Sequence, residues 1–420
     1  MKPGSFPFSL IRQARTAFRF GRQNGFFALL KLVLGRLRNP LNGRVISKRT
    51  VVEYYGFVRK RPVGAPILPG SVPKNTINWF IPPFSFGSGG HLNIFRFVHH
   101  LETDGFECRI VIVGMPQPAS AKQAHRQIGD WFFPLKGKVY LETDTLPSAH
   151  VTIATSWQTA YHVRNFMPTV HRCYFIQDYE PLFYAAGSEY AWAEATYRFG
   201  FFGITAGSWL RDKLAAEYGM ITEAFGFSFD RDRYRPCPRR NPDVRQVFFY
   251  ARPPTQRRAF EMGLLILDEV VRRLPDVKVV FAGWDLSDYA IPFEHANAGV
   301  VALDALPDLY SQCDAALVLS FTNLSLLPLE LMACGIPVVS NRAKCTEWLL
   351  NDGNACLAEP TVESLADALC MLLESPKDRE RLRTAGLETS ALTDWKQEAG
   401  KVASMLQRLD RAARPAGDMP

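Results

Sequence analysis

The sequence predicts an α/β protein: two Rossmann-like, doubly wound domains facing each other across a cleft. Three observations carry this. From about residue 76, short β-rich runs alternate with helical stretches, the pattern of a parallel sheet covered on both faces. The alternation breaks once, at RDRYRPCPRRNPDVRQ (231–246), where three Pro and six Arg fall within sixteen residues, and then it restarts. The chain has 420 residues and is 47% hydrophobic, enough for two full cores.

In the first half INWFIP (77–82) reads as a strand, FSFGSGG (84–90) as a loop and HLNIFRFVHHLETDG as a helix. CRIVIVG (108–114), HVTIATS (150–156), RCYFIQD (172–178) and FGITAGS follow as strands, with YAWAEATYRFG and SWLRDKLAAEYG as helices. In the second half VFFYAR (247–252), DVKVVFAGW (276–284), GVVALDAL (299–306), AALVLS (315–320) and PVVSN (337–341) read as strands. RRAFEMGLLILDEVVRRL and ESLADALCMLLES (363–375) read as helices, and a last helix covers about 394–412. The expected divisions are an arm and lead-in at 1–75, a first domain at 76–235, a linker at 236–246, a second domain at 247–390, and a terminal helix and tail at 391–420.

The net charge of +8 is unevenly placed: residues 1–50 hold eleven Lys/Arg and no Asp/Glu, so the rest of the chain is slightly acidic. The arm mixes Arg with Phe, Leu and Val at roughly helical spacing. Its longest apolar run, GFFALL, is too short to cross a bilayer. No hydrophobic segment is followed by a small-residue cleavage site, so no secretory signal is expected. Such a segment suits an anionic membrane surface; the alternative is a basic tail packed on the body. Nucleic acid is not expected, because the body offers no basic groove to continue the arm. The eight cysteines form no CxxC pair and read as reduced thiols of a cytoplasmic protein.

Three stretches can carry chemistry. Gly89 and Gly90 in the first loop let backbone approach a ligand, and the helix start behind them suits phosphate. Arg252 ends a strand and Arg257 opens the next helix, so two guanidinium groups can clamp a diphosphate and neutralise a departing one. Glu330 is the only charge in SFTNLSLLPLELMACGIPVV (320–339). A carboxylate in so apolar a run must be paired, capped or used; facing the cleft, it can accept hydrogen bonds from vicinal ribose hydroxyls. Asp178 and Glu180 are polar groups beside a strand end, where Asp178 either orients an acceptor or caps a turn. Tyr179, Phe183, Tyr184 and Trp192 could form a sugar platform or simply pack in the core.

These motifs together resemble the retaining family 4 glycosyltransferases of GT-B fold. PLELMACGIPVVSN, then TEWLLNDGNACLAEP with Glu347, then ESLADAL are similar to that family's signature. The GSGG loop, ARPPTQRR and FGFSFDRDRYRP fall where the family has its Gly-rich loop, its Arg-x4-Lys pair and its hinge. The resemblance covers about 76–405 and is more specific in the second half. It implies a nucleotide-sugar donor held by Gly89, Gly90, Arg252, Arg257, Glu330, Leu326, Leu327 and Thr322. It puts Gln177, Tyr179 and Glu180 on the acceptor side, and a glycan or lipid-linked glycan as acceptor. It implies no cofactor and no metal, so the formal DxD at Asp230–Asp232 is read as hinge.

Three positions depart from the family. Thr322 stands where the family has its first Glu, Arg257 replaces Lys, and Gln177 replaces a common His. CYFIQDYEPLFYAAGSEY and INWFIPPFSFGSGGHLNIFRF most resemble the WsaF-like rhamnosyltransferase branch, which implies dTDP-L-rhamnose as donor and a bacterial surface glycan as product. In relatives the His and the first Glu contact sugar hydroxyls, including that on C6. A 6-deoxy sugar leaves no such hydroxyl to satisfy. Two alternatives stay open: a UDP- or GDP-hexose donor, and a non-catalytic binding protein of the same fold. A dinucleotide-dependent dehydrogenase fits less well, because SFGSGGHL lacks a full GxGxxG.

Overall fold

The computed structural model describes residues 51–60, 62, 67–115, 118–141 and 143–412. The membrane-binding expectation for residues 1–50 lies outside them. A short helix, α1 (Val51–Tyr54), and a 3-10 turn (Gly56–Arg59) form a small separate unit.

The first half of the main body runs β1 (Thr76–Ile81), α2 (Gly89–Thr103), β2 (Glu107–Ile112), α3 (Ala121–Trp131), β3 (Val139–Tyr140), β4 (Ala149–Ala154), α4 (Trp157–Asn165), β5 (Thr169–Ile176), α5 (Ser188–Ala195), β6 (Phe202–Ala206), α6 (Ser208–Tyr218) and β7 (Thr222–Phe225). All seven strands are parallel, in the order β3-β2-β1-β4-β5-β6-β7. β1 and β4 are buried along their whole length, as strands covered on both faces are, and they bury Thr76, Asn78, His150 and Thr152 among their apolar residues. Aromatic side chains fill the space beneath the sheet. The Phe175 and Phe225 rings stack at 4.9 Å, and Phe97 meets Phe225 edge-on at 4.6 Å.

The second half runs β8 (Gln246–Tyr250), α7 (Phe260–Arg273), β9 (Lys278–Ala282), β10 (His295–Asn297), α8 (Leu306–Ser311), β11 (Ala315–Val318), α9 (Leu327–Ala333), β12 (Val338–Asn341), α10 (Lys344–Glu347), β13 (Cys356–Ala358), α11 (Val362–Glu374) and α12 (Pro376–Ala391). Its parallel sheet has the order β10-β9-β8-β11-β12-β13. The last helix, α13 (Trp395–Ala412), packs back onto α2 and β7 of the first half. Glu398 there accepts a 2.6 Å hydrogen bond from the Gly226 backbone. Asp410 takes hydrogen bonds from Lys74 and the His171 ring at 2.5 and 2.8 Å.

One expected strand is absent. Past Gly299, whose carbonyl accepts from the Gly283 N–H, GVVALDAL forms no strand; it makes an open loop and a 3-10 turn (Leu303–Ala305) leading into α8, whose second residue is Pro307. The edge of the sheet is made instead by β10, whose three residues are all exposed. An edge strand needs no apolar run, so composition pointed to the wrong segment. The short strands β3, β7 and β13 also went unread, being two to four residues long.

The strand order positions the site. In the first sheet the chain winds outward from β1 to β3 and returns to β4 on the other side of β1. In the second it winds from β8 to β10 and returns to β11 beside β8. Open α/β sheets bind ligands at such reversals, outside the carboxyl ends of the strands. The loop after β1 leads into α2, which Gly89 and Gly90 open rather than lying in the loop as expected, and Arg252, Arg257 and Thr322 lie in the connections after β8 and β11.

Candidate active site in the interdomain cleft

Across the cleft, side chains of the two halves meet at Asp178, just past β5. One carboxylate oxygen accepts from its own neighbour, the Tyr179 backbone N–H, and from the Asn323 N–H of the second half, both at 2.8 Å. The other accepts from the Thr322 hydroxyl at 3.0 Å and forms an ion pair with Arg257 Nε at 3.2 Å. The Arg257 guanidinium also lies 4.0 Å over the Phe183 ring, a contact that steadies a cation without neutralising it. Asp178 therefore anchors Arg257.

Arg257 sits in a tight turn. Arg258, its neighbour, donates to the Ser320 hydroxyl at 2.6 Å and to the Asn323 carbonyl at 3.1 Å. Ala259 follows in the left-handed region, at φ 48°, which costs a non-glycine residue about 1–2 kcal/mol. Strain of this kind persists where the surroundings over-determine the backbone. Here the paired arginines, tied to the loop after β11, do so. Arg252 stands at the end of β8, 3.4 Å from the Tyr250 hydroxyl and 5.9 Å from the Trp284 ring.

On the facing side, Gln177 donates to the Gly90 carbonyl at 3.1 Å and accepts from Asn93 at 3.3 Å. Asn93 in turn accepts from Arg96 at 2.8 Å, and Arg96 reaches Asp230 in the hinge at 2.7 Å. Gly89 opens α2, whose N-cap Ser88 makes no capping bond to the backbone; its hydroxyl bonds the His91 ring at 2.8 Å instead. Burial holds His91 neutral, pulling it down to about 4. Asp230 is shared by Arg96 and Arg233, so the formal DxD spends its first carboxylate on the hinge.

Glu330, in α9, has its carboxyl pushed up to about 7. Burial is the main cause. The Tyr234 hydroxyl and the charges of Arg96 and Arg233 oppose it, and Asp230 adds to it. Leu326 and Leu327 form the start of the same helix, where the Leu326 carbonyl accepts from the Glu330 N–H at 3.1 Å. Glu347 lies apart from this group, paired with Arg342 at 3.3 Å.

Two expected acceptor-side residues turn inward. Glu180 is 7% exposed. It accepts from the Trp157 backbone N–H at 2.9 Å and the Tyr174 hydroxyl at 2.8 Å, holding the start of α4. Burial raises its carboxyl to about 7. Tyr179 is 3% exposed, stacked on Tyr197 at 5.6 Å with its hydroxyl against that of Tyr218. A 3-10 turn (Glu180–Phe183) with Pro181 near its start directs both into the domain. Of the proposed platform, Tyr184 spends its hydroxyl on the Trp157 indole at 2.9 Å, while Phe183 faces the site beneath Arg257. Three participants escaped the sequence reading: Arg96, Arg258 and Asn323. The only available signal was position, since Arg258 and Asn323 adjoin residues already singled out.

Comparison with known proteins agrees with this architecture. Residues 142–205 match the family model described as the WsaF N-terminal domain, and residues 245–370 match the WsaF C-terminal domain. The chain is 35% identical over 356 residues to the O-antigen biosynthesis protein RfbC of Myxococcus xanthus. That match takes in 82% of this chain but only 28% of the relative's length. Among solved structures, Anabaena Alr3699/HepE, determined with UDP and glucose, superposes with a TM-score of 0.62 at 15% identity. It covers 80% of this chain and 100% of that one. Sucrose-phosphate synthase from Thermosynechococcus elongatus gives 0.61 at 12% identity, with the same coverage. The two-sheet architecture is the GT-B fold, and over two stretches, one in each half, the chain is similar to the N- and C-terminal domains of WsaF.

Proposed function

We propose that this protein transfers L-rhamnose from dTDP-L-rhamnose to a growing bacterial surface polysaccharide or glycolipid, with retention of anomeric configuration and without a metal ion. The observation that carries the reading is the Arg257–Asp178 pair spanning the cleft at 3.2 Å. It fixes a cation at the reversal of the second sheet against a carboxylate that follows β5 of the first. Arg252 and Arg257 take the donor diphosphate, the helix start at Gly89 and Gly90 faces it, and Glu330 accepts from the ribose. As the glycosidic bond breaks, the guanidinium groups stabilise the charge that develops on the leaving phosphate. The leaving phosphate oxygen then takes the acceptor hydroxyl's proton on the same face, so no protein nucleophile is used. The phosphate charge met by a metal elsewhere is met here by arginine.

The 6-deoxy donor is supported by what occupies the two departing positions. Thr322 and Gln177 both spend their polar atoms on protein partners. Neither presents a carboxylate or imidazole to a sugar hydroxyl. A donor panel with EDTA or Mg²⁺ tests the reading. Transfer from dTDP-L-rhamnose in EDTA is expected; transfer only from UDP-glucose or GDP-mannose, or only with Mg²⁺, contradicts it. RfbC's name gives O-antigen biosynthesis as that relative's role, which supports a glycan acceptor here.

The arm at residues 1–50 brings the enzyme to the inner face of the cytoplasmic membrane on this reading. Its eleven cations and no anions favour acidic lipid at roughly 1 kcal/mol per cation near the surface. No helix among the described residues is long and apolar enough to cross a membrane. Salt-sensitive co-sedimentation with phosphatidylglycerol vesicles, lost on deleting 1–50, is the expected result. Equal binding without the arm ends the idea.

A further inference from the structure

Asn323 is completely buried, yet every polar group it owns is partnered, and three of its six partners lie in the other domain. Its backbone N–H donates to Asp178 at 2.8 Å. Its side-chain amide donates to the Gln177 carbonyl at 3.0 Å and to the Ala206 carbonyl at 2.7 Å, at the ends of β5 and β6. Its side-chain oxygen accepts from the Trp348 indole at 2.8 Å. Its carbonyl accepts from the Ser320 hydroxyl at 2.9 Å and from Arg258 at 3.1 Å. A buried amide with all its bonds made specifies one arrangement, whereas one with some bonds broken is costly.

The surroundings are shaped for it. Trp348 lies over Gly207, at the end of β6, and packs against Phe227 at 5.2 Å. A Cβ on Gly207 would fall 2.7 Å from the indole ring, and its φ of 86° independently disfavours a side chain there. The first domain thus presents a flat seat for an aromatic group of the second, and that group's N–H completes Asn323.

We propose that Asn323, with Trp348 seated on Gly207, is an interdomain latch: it holds the cleft closed before any donor binds and so positions Asp178 against Arg257. Asn323 and Trp348 are positioning residues; neither need touch the substrate. A protein whose competent state is already populated avoids the affinity lost to a closing equilibrium. Without the latch, donor binding has to drive closure itself.

The test is small-angle X-ray scattering of the full chain with and without dTDP, on wild type, Asn323→Ala and Trp348→Phe. Trp348→Phe removes one N–H and keeps the ring, so it guards against loss of fold; circular dichroism checks both variants. Wild type is expected to show the same radius of gyration with and without nucleotide. Asn323→Ala should be larger without nucleotide and return towards wild type with it, and Trp348→Phe should fall between. If both variants scatter as wild type does, or if wild type itself compacts on adding dTDP, the latch is refuted. The nucleotide-free comparison assumes nothing about the reaction, so it stands or falls apart from the transfer reading. The kinetic arm rests on that reading. There the loss should fall on donor KM, by about tenfold for a competent state reduced to about a tenth, and less on kcat. An equal fall in kcat alone would mark a merely structural defect.

Discussion

Arg257→Ala is expected to lower the transfer rate by about 10²–10³-fold, the scale found when one donor that stabilises transition-state charge is removed from a dry site. On the proposed reading the substitution takes away the cation that faces the departing phosphate; in the structure it also removes the ion pair to Asp178. Asp178 keeps three hydrogen bonds, from the Tyr179 and Asn323 backbone N–H groups and the Thr322 hydroxyl, so its carboxylate is not left bare. The thermal midpoint should therefore fall much less than activity does. Arg257→Lys should recover part of the rate, because the charge returns without the planar fork that meets two oxygens at once. Steady-state kinetics alongside thermal unfolding separates the two effects. A variant with near wild-type turnover would remove Arg257 from the chemistry and leave it as a cleft ion pair.

The second large effect belongs to Glu330 and depends on pH. Its carboxyl is raised from 4.5 to about 7 in the folded protein, so the fold favours the protonated form. Its contribution to stability is then greatest below the unfolded value of 4.5 and is lost as pH rises through about 7. Glu180, raised to the same value by burial, adds a slope of the same sign. Stability should therefore fall between these limits. Glu330→Gln should remove part of the slope, and adding Glu180→Gln should remove more. An unchanged slope in the double variant would contradict the assignment. Nucleotide affinity should move the other way: the ionised carboxylate is the better acceptor for ribose hydroxyls, so binding tightens as pH rises through about 7. Glu330→Gln should flatten that rise and weaken binding by about 10–100-fold, the cost of a hydrogen bond to a charged group.

Much of the site was legible because its residues lie where an α/β sheet has to put them. The loops after β1 and β8 are strand ends at sheet reversals, so Gly89, Gly90, Arg252 and Arg257 could be placed from the alternation of elements, whereas Thr322 was singled out by its position in the family motif that the sequence resembles. Glu330 stood out as a lone charge in an apolar run. Direction was harder to read than position. Tyr179 and Glu180 follow Asp178 directly, yet Asp178 bonds across the cleft while the 3-10 turn that begins just after it carries the other two into the core. Sequence adjacency says nothing of that rotation. Asn323 and Arg96 were invisible for a related reason. Each is a polar residue in an ordinary-looking stretch, and its importance comes from partners more than a hundred residues away. GVVALDAL misled by composition: its apolar residues suggested a strand, but Val300 is 81% exposed and the edge position went to a polar segment.

The central claim is that Arg252, Arg257 and Glu330 form one site for a nucleoside diphosphate. Calorimetric titration of the full chain with dTDP in EDTA tests it most directly, run beside Arg257→Ala and Glu330→Gln. The account predicts saturable, metal-independent binding by wild type, weakened in both variants, and more so for Glu330→Gln at higher pH. Absence of binding, or binding that neither substitution alters, would contradict it.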